Sequence, residues 1–189
     1  MPHPARYEDI EALPEHLMGE IIHGELVVSP RPRLPHVRAA SRLGAILEGP
    51  FDEGIDGPGG WTILDEPELR LEGINTPIIP DLAGWRAERM AEVPDEPSSS
   101  LAPDWVCEVL SPRTGAVDRT DKMEVYAAAG VAYAWLVDPL LQTLESYRLE
   151  AGHWVLLKAW RAEAKVRAEP FQAIEFDLQR LWRRVTTHG

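Results

Sequence analysis

Two short apolar runs with a helix-patterned stretch between them constrain this chain most. Trp105-Val106-Cys107-Glu108-Val109-Leu110 and Tyr133-Ala134-Trp135-Leu136-Val137 are rich in aromatic and β-branched residues and have strand length. Ser111-Pro112 closes the first run. Between the two, from Asp118 to Ala129, apolar positions recur at helical spacing, and Gly130 supplies a natural C-terminal cap. Strand, helix, strand in this order predicts a βαβ-like unit and a locally parallel sheet.

Other segments predict antiparallel neighbours. Glu20-Ile21-Ile22 and Glu25-Leu26-Val27-Val28 flank His23-Gly24 and read as a hairpin. Thr143 to Leu149 and Trp154 to Trp160 form a second hairpin around Ala151-Gly152. Strands are also expected at Trp61 to Leu64, Glu68 to Leu71 and Ile78 to Trp85, with Pro80 marking an edge or bulge. Helices are expected from Tyr7 to Leu13 and from His36 to Leu47, with Pro30, Pro32 and Pro35 breaking the chain before the second. Gly49 to Gly60 reads as a loop, and Val93 to Pro103 as a mobile surface loop. Phe171 to Trp182 is expected to close the core with a strand or short helix. The fold class is α/β or α+β with a mixed sheet. At 189 residues the chain suits one domain, residues 1–189, and is short for two.

No apolar run approaches the ~20 residues of a membrane span, and the N-terminus lacks the basic-then-apolar pattern of a signal peptide. The one cysteine, Cys107, excludes an intrachain disulfide and a multi-cysteine zinc site. These features suit the cytoplasm. The formal net charge of -12 argues against simple electrostatic adhesion to nucleic acid, whose affinity comes mostly from Lys and Arg. It does not exclude an enzyme of nucleic acids, because a metal site needs uncompensated carboxylates.

Asp81 and Glu108 each interrupt an apolar stretch. A carboxylate there is costly unless it is paired, hydrogen-bonded or bound to metal. Two such acids on neighbouring strands suit a hard cation such as magnesium. The alternative for each is a solvated or arginine-paired acid at a strand end. Lys122 shares a helical face with Val125, Tyr126 and Ala129, which puts a lysine on the buried side. It either snorkels, pairs with Asp118 or Asp121, or joins the two acids.

These residues resemble a known family. Pro80-Asp81, Pro103 to Pro112, Asp118-Arg119-Thr120-Asp121-Lys122 with Tyr126, Gly130-Val131 and Tyr133 to Pro139 are similar to the Uma-two-type family of restriction-endonuclease-like proteins. Gly19 to Pro30, followed by His36, fits the same family. That family is similar to the PD-(D/E)XK phosphodiesterase superfamily. The resemblance implies a restriction-endonuclease-like mixed central sheet flanked by helices. It implies a Mg2+ (or Mn2+) site at Asp81 and Glu108, an accessory acid at Glu20, and DNA as substrate. It also allows a homodimer, since many such nucleases cut as dimers. The superfamily places its lysine two residues after the glutamate, where this chain has Leu110; Lys122 on the following helix is the implied substitute.

The expected chemistry is in-line attack by a metal-activated water, with Lys122 positioning that water or offsetting phosphorane charge. His36 is a candidate for phosphate or the metal shell. Arg31, Arg33, Arg38 and Arg42 form a local basic cluster suited to a phosphate backbone, or an ordinary solvated face. Ser111, Arg113 and Thr114 follow Glu108 and are candidates to line the cleft. The tryptophans read as packing rather than base-stacking platforms. No Gly-rich phosphate loop, HExxH or GxSxG motif occurs. Two readings compete with the nuclease: a non-catalytic binding or assembly module keeping that fold, and a metal-dependent hydrolase of a small phosphorylated molecule.

Overall fold

The structure is a computed structural model and describes residues 5–22, 24–71, 77–112 and 115–183. Helix α1 (Tyr7–Glu11) leads into strands β1 (Leu17–Ile22) and β2 (Glu25–Pro30). These pair antiparallel from Leu17↔Pro30 to Ile22↔Glu25, the hairpin expected around position 24. Gly24 takes φ 80°, a left-handed conformation that glycine adopts without a Cβ penalty. His23 lies outside the described residues.

Helix α2 (Leu34–Leu47) starts earlier than its apolar spacing predicts, and Pro35 sits in its first turn rather than breaking the chain. A proline there loses no helical hydrogen bond, because first-turn amides have no intrahelical partner. A wide π turn, Glu48–Asp52, continues the helix into the expected loop and buries Phe51.

The central sheet has six strands in the order β3-β4-β5-β6-β7-β8. They are β3 (Trp61–Asp65), β4 (Leu82–Arg86), β5 (Trp105–Val109), β6 (Tyr133–Asp138), β7 (Thr143–Glu150) and β8 (His153–Arg161). Only β5 and β6 run parallel; the other pairs are antiparallel. The crossover between them carries α3 (Gly115–Val117), a second π turn (Asp118–Lys122) and α4 (Met123–Ala128). Gly130 ends it at φ 75°. The fold is therefore α+β with a mixed sheet, as the element pattern predicts.

Two expected strands differ. Around Glu68 to Leu71 only Leu69 makes isolated bridges, to Ile78 and Ser99. The strand expected from Ile78 begins only at Leu82. Pro80 has no amide hydrogen for the ladder, so Asp81 sits at the bend entering β4. The segment from Val93 to Pro103 has no regular strand and is tied near its end, where the Trp85 indole donates to the Leu101 carbonyl at 2.9 Å.

Each sheet face packs its own core. One face carries Trp61, Trp105, Cys107, Val109 and Trp135 against α2 and the C-terminal segment. Phe171 lies edge-on or tilted among Phe51, Trp61, Trp105 and Trp135, with centroids 4.7–5.6 Å away. That segment also forms β9 (Lys165–Val166), β10 (Phe176–Asp177) and a 3-10 turn, Leu178–Leu181. The opposite face packs Val106, Ala134 and Leu136 against Met123, Val125 and Tyr126 of α4 and Ile22 of the hairpin. Among the described residues no helix is long and apolar enough to cross a membrane.

Candidate active site

Alternation along β5 decides where its acid points. Trp105, Cys107 and Val109 face the α2 core, so Val106 and Glu108 face α4. Lys122 meets Glu108 there. It ends the π turn, whose wider winding changes the register between α3 and α4. Its Nζ lies 3.3 Å from each Glu108 carboxylate oxygen. The Lys122 and Glu108 side chains are 5% and 3% exposed, so this is a buried ion pair. The Tyr126 hydroxyl donates to Glu108 Oε1 at 2.5 Å.

Asp81 reaches the same place from the bend just before β4. The β4–β5 ladder pairs Leu82 with Cys107, and one further step sets Asp81 against Glu108. Asp81 Oδ2 accepts the Val109 amide at 2.6 Å, and Oδ1 accepts from His36 Nε2 at 2.6 Å. His36 comes from the first turns of α2, and its Nδ1 is buried with no hydrogen-bond partner among the described residues. Glu20 arrives from β1. Its Oε1 accepts the Ile79 amide at 3.1 Å and lies 3.0 Å from Lys122 Nζ. Asp118, one turn before Lys122, is buried with Oδ1 at 3.8 Å from the amine.

Charge is concentrated here. Burial alone pushes Lys122 toward the neutral amine, but Glu108, Glu20, Asp118 and Asp81 outweigh it and raise its pKa far above the usual value. The ammonium is thus fixed. Burial pushes the Glu108 carboxyl well upward; Lys122 pulls it back, and Asp118, Asp81 and Glu20 add to the rise. Burial also opposes charge on His36, yet the hydrogen bond and charge of Asp81, with Asp118 and Glu66, raise its pKa above normal. Acids crowded this way are what a bound cation relieves.

Among the described residues no three His, Cys, Asp or Glu side chains form a ready-made metal cage. The donors at hand are Asp81 and Glu108, opposed across β4 and β5 in one open cleft. Magnesium fits that set, because it is held by one or two carboxylates and keeps waters and phosphate oxygens as its other ligands.

A family model described as "Putative restriction endonuclease", Uma2, matches residues 4–180. The chain belongs to the Uma2 family. The crystal structure of a "putative nuclease belonging to DUF820" from Anabaena variabilis is similar at a TM-score of 0.70 and 20% identity, covering 95% of this chain and 98% of that one. At that identity the likeness speaks for the fold alone. No curated protein matches the sequence.

In this Uma2 chain the cleft is lined by Glu20, His36, Asp81, Glu108, Ser111 and Lys122, residues far apart in sequence. Arg38 is not among the lining residues; its guanidinium donates to the Arg183 carbonyl at 3.3 Å. Arg31 donates to the Glu15 carbonyl at 3.2 Å, and Arg33 and Arg42 are exposed. Arg113 and Thr114 lie outside the described residues. Leu110, at the position where the superfamily carries lysine, is buried in the α4-side core. Trp61, Trp85, Trp105, Trp135, Trp160 and Trp182 are buried, which fits packing rather than base stacking.

Sequence reasoning missed one partner and one lining acid. Tyr126 reads as an apolar helix position, yet its i+4 spacing from Lys122 is the signal that they share a target. Asp118, one of the two partners expected for Lys122, does pair with it, and the pair is buried. Glu66 lines the cleft at φ 47°, and nothing in its local sequence marks it.

Proposed function

We propose that this chain is a metal-dependent endonuclease that hydrolyses phosphodiester bonds in DNA, using Mg2+ or Mn2+ held by Asp81 and Glu108. One observation carries the reading: Asp81, Glu108 and Lys122, from three separated segments, line one cleft, with the lysine amine 3.3 Å from both Glu108 oxygens. A divalent ion bound there supplies Lewis-acid polarisation of phosphate and a more acidic water. The side chains do the rest. Tyr126 and Lys122 fix the Glu108 carboxylate, and the Val109 amide and His36 fix Asp81. Lys122 places a permanent positive charge beside the reacting phosphate, where negative charge grows during in-line attack. Lys122 thus takes the part of the lysine missing at Leu110. The buried, unpaired Cys107 fits a reducing compartment, and the proposal sites the activity in the cytoplasm. A second copy of the chain is the proposed partner for cutting both strands.

The test is cleavage of plasmid and single-stranded DNA with Mg2+ or Mn2+ against EDTA. Asp81→Ala and Glu108→Ala should each abolish metal-dependent cleavage while keeping the fold by circular dichroism. Full activity in both variants rejects the assignment. A second reading has its own support: His36, Lys122 and Tyr126 already bind the two acids, and the chain carries -12 net charge. A non-catalytic binding or assembly module with this fold would leave DNA uncut under any metal.

A further inference from the structure

Lys122 has an unusual set of neighbours for an amine. Its Nζ lies 3.0 Å from Glu20 Oε1, 3.3 Å from Glu108 Oε1 and 3.8 Å from Asp118 Oδ1. It also donates to the Ile79 carbonyl at 3.1 Å. Three carboxylates and one peptide carbonyl, from β1, β5, the π turn and the segment before β4, thus surround one point. This is the donor chemistry of a hard cation, oxygen only and mostly anionic. The ion at that point is the chain's own ammonium.

We propose that Lys122 is a built-in second cation: its ammonium occupies the position a second divalent ion would take beside Glu108, so the site loads one metal ion, not two. The inference deepens the metal-dependent reading given above and rests on it. Two-metal phosphodiesterases hold their ions ~3.5–4 Å apart, bridged by shared carboxylates. Here Glu108 is the carboxylate available for sharing. Lys122 Nζ lies 3.3 Å from both Glu108 oxygens and Tyr126 donates to Oε1 alone, so Oε2 has one protein partner fewer and is the oxygen a metal would share. Glu20 then serves the lysine and is not a metal ligand. Its Oε1 is engaged by both Lys122 and the Ile79 amide.

The chemical consequence is a division of labour. A metal held by Asp81 and Glu108 would supply the water activation, and the ammonium supplies the second positive charge. Unlike a second metal, the ammonium is tethered, and no chelator removes it.

The test counts ions on the full chain, without nucleic acid. Mn2+ is titrated by electron paramagnetic resonance and calorimetry, in enough salt to screen the acidic exterior. The wild type should bind one tight Mn2+. Glu20→Gln, which keeps the lysine and an oxygen acceptor, should still bind one. Lys122→Met empties the cage and should bind two, with the second ion raising its melting temperature. Two tight ions in the wild type, loss of the ion in Glu20→Gln, or a single ion in folded Lys122→Met each overturn the built-in cation but leave the nuclease reading standing. No tight ion in the wild type overturns the metal-dependent reading itself, and the inference with it. If Lys122→Met does not fold, the wild type and Glu20→Gln decide the matter alone.

Discussion

Replacing Lys122 with methionine keeps the apolar stem and removes the charge, so it isolates what the ammonium does for the fold. In the wild type the amine sits 3.3 Å from Glu108 Oε1 and 3.0 Å from Glu20 Oε1. At an effective dielectric of 20, unit charges that close attract by roughly 5 kcal/mol. Part of this is offset by the cost of burying both ions, so the useful figure is the cost of orphaning one partner. For a buried pair that is about 3–5 kcal/mol. With a urea slope of about 2 kcal/mol per molar, the unfolding midpoint at pH 8 without divalent metal should fall by roughly 2 M. The loss should depend on pH. Without the lysine, Glu108 keeps its burial and its acidic neighbours, so its folded pKa lies still further above the unfolded one. A group raised in this way destabilises as pH climbs toward its folded pKa. The deficit should therefore shrink as the buffer is taken from pH 8 to pH 5. Adding Glu108→Gln to Lys122→Met should recover more than half of the lost stability, since a neutral amide no longer needs the ammonium. A loss under ~1 kcal/mol that does not vary with pH would refute a buried, charge-coupled lysine, because exposed pairs behave that way.

Three further outcomes follow from the structure. Tyr126→Phe removes the donor to Glu108 Oε1 without changing shape, and should cost about 1.5–3 kcal/mol by urea unfolding and weaken Mn2+ binding; an unchanged midpoint would mean the hydroxyl is not bound to a charged acceptor. Cys107 is fully buried, and burial, with Asp81 and Glu108 adding to it, holds its thiol pKa well above normal, so a disulfide reagent should label it only at the unfolding rate, and fast labelling of native protein at pH 8 would contradict that burial. Burial raises the Glu145 carboxyl, but hydrogen bonds from Arg119 and Tyr147 and the Arg119 charge bring it below its usual pKa; its stabilisation is present above the unfolded pKa and lost as pH falls through the folded one. The stability gap between wild type and Glu145→Gln should thus be constant from pH 5 to 7 and close below about pH 4; a gap that widens there would be the wrong sign.

What the sequence determined by itself is local. The strands at Trp105–Val109 and Tyr133–Asp138, the hairpins β1–β2 and β7–β8, and the buried face of Lys122, Val125 and Tyr126 follow from side-chain periods of 2 and 3.6, which neighbours within one or two turns encode. Asp81 and Glu108 were legible for an energetic reason: a charge in an apolar run needs a partner. Lys122 as partner of Glu108 was one of the options its helical face offered, and the other partners were not legible. Lys122 to Ile79, His36 to Asp81 and Glu20 to Ile79 span 43, 45 and 59 residues. Such contacts exist only once the β4–β5 register opposes Asp81 and Glu108 and the hairpin packs over them. A one-residue slip would turn Glu108 to the other face. The π turn at Asp118–Lys122 belongs to the same class, since an ordinary helical pattern describes its residues equally well. Periodicity says which side of an element is buried. Only the assembled sheet says what it is buried against, and so why the lysine comes from the helix while Leu110 fills the core.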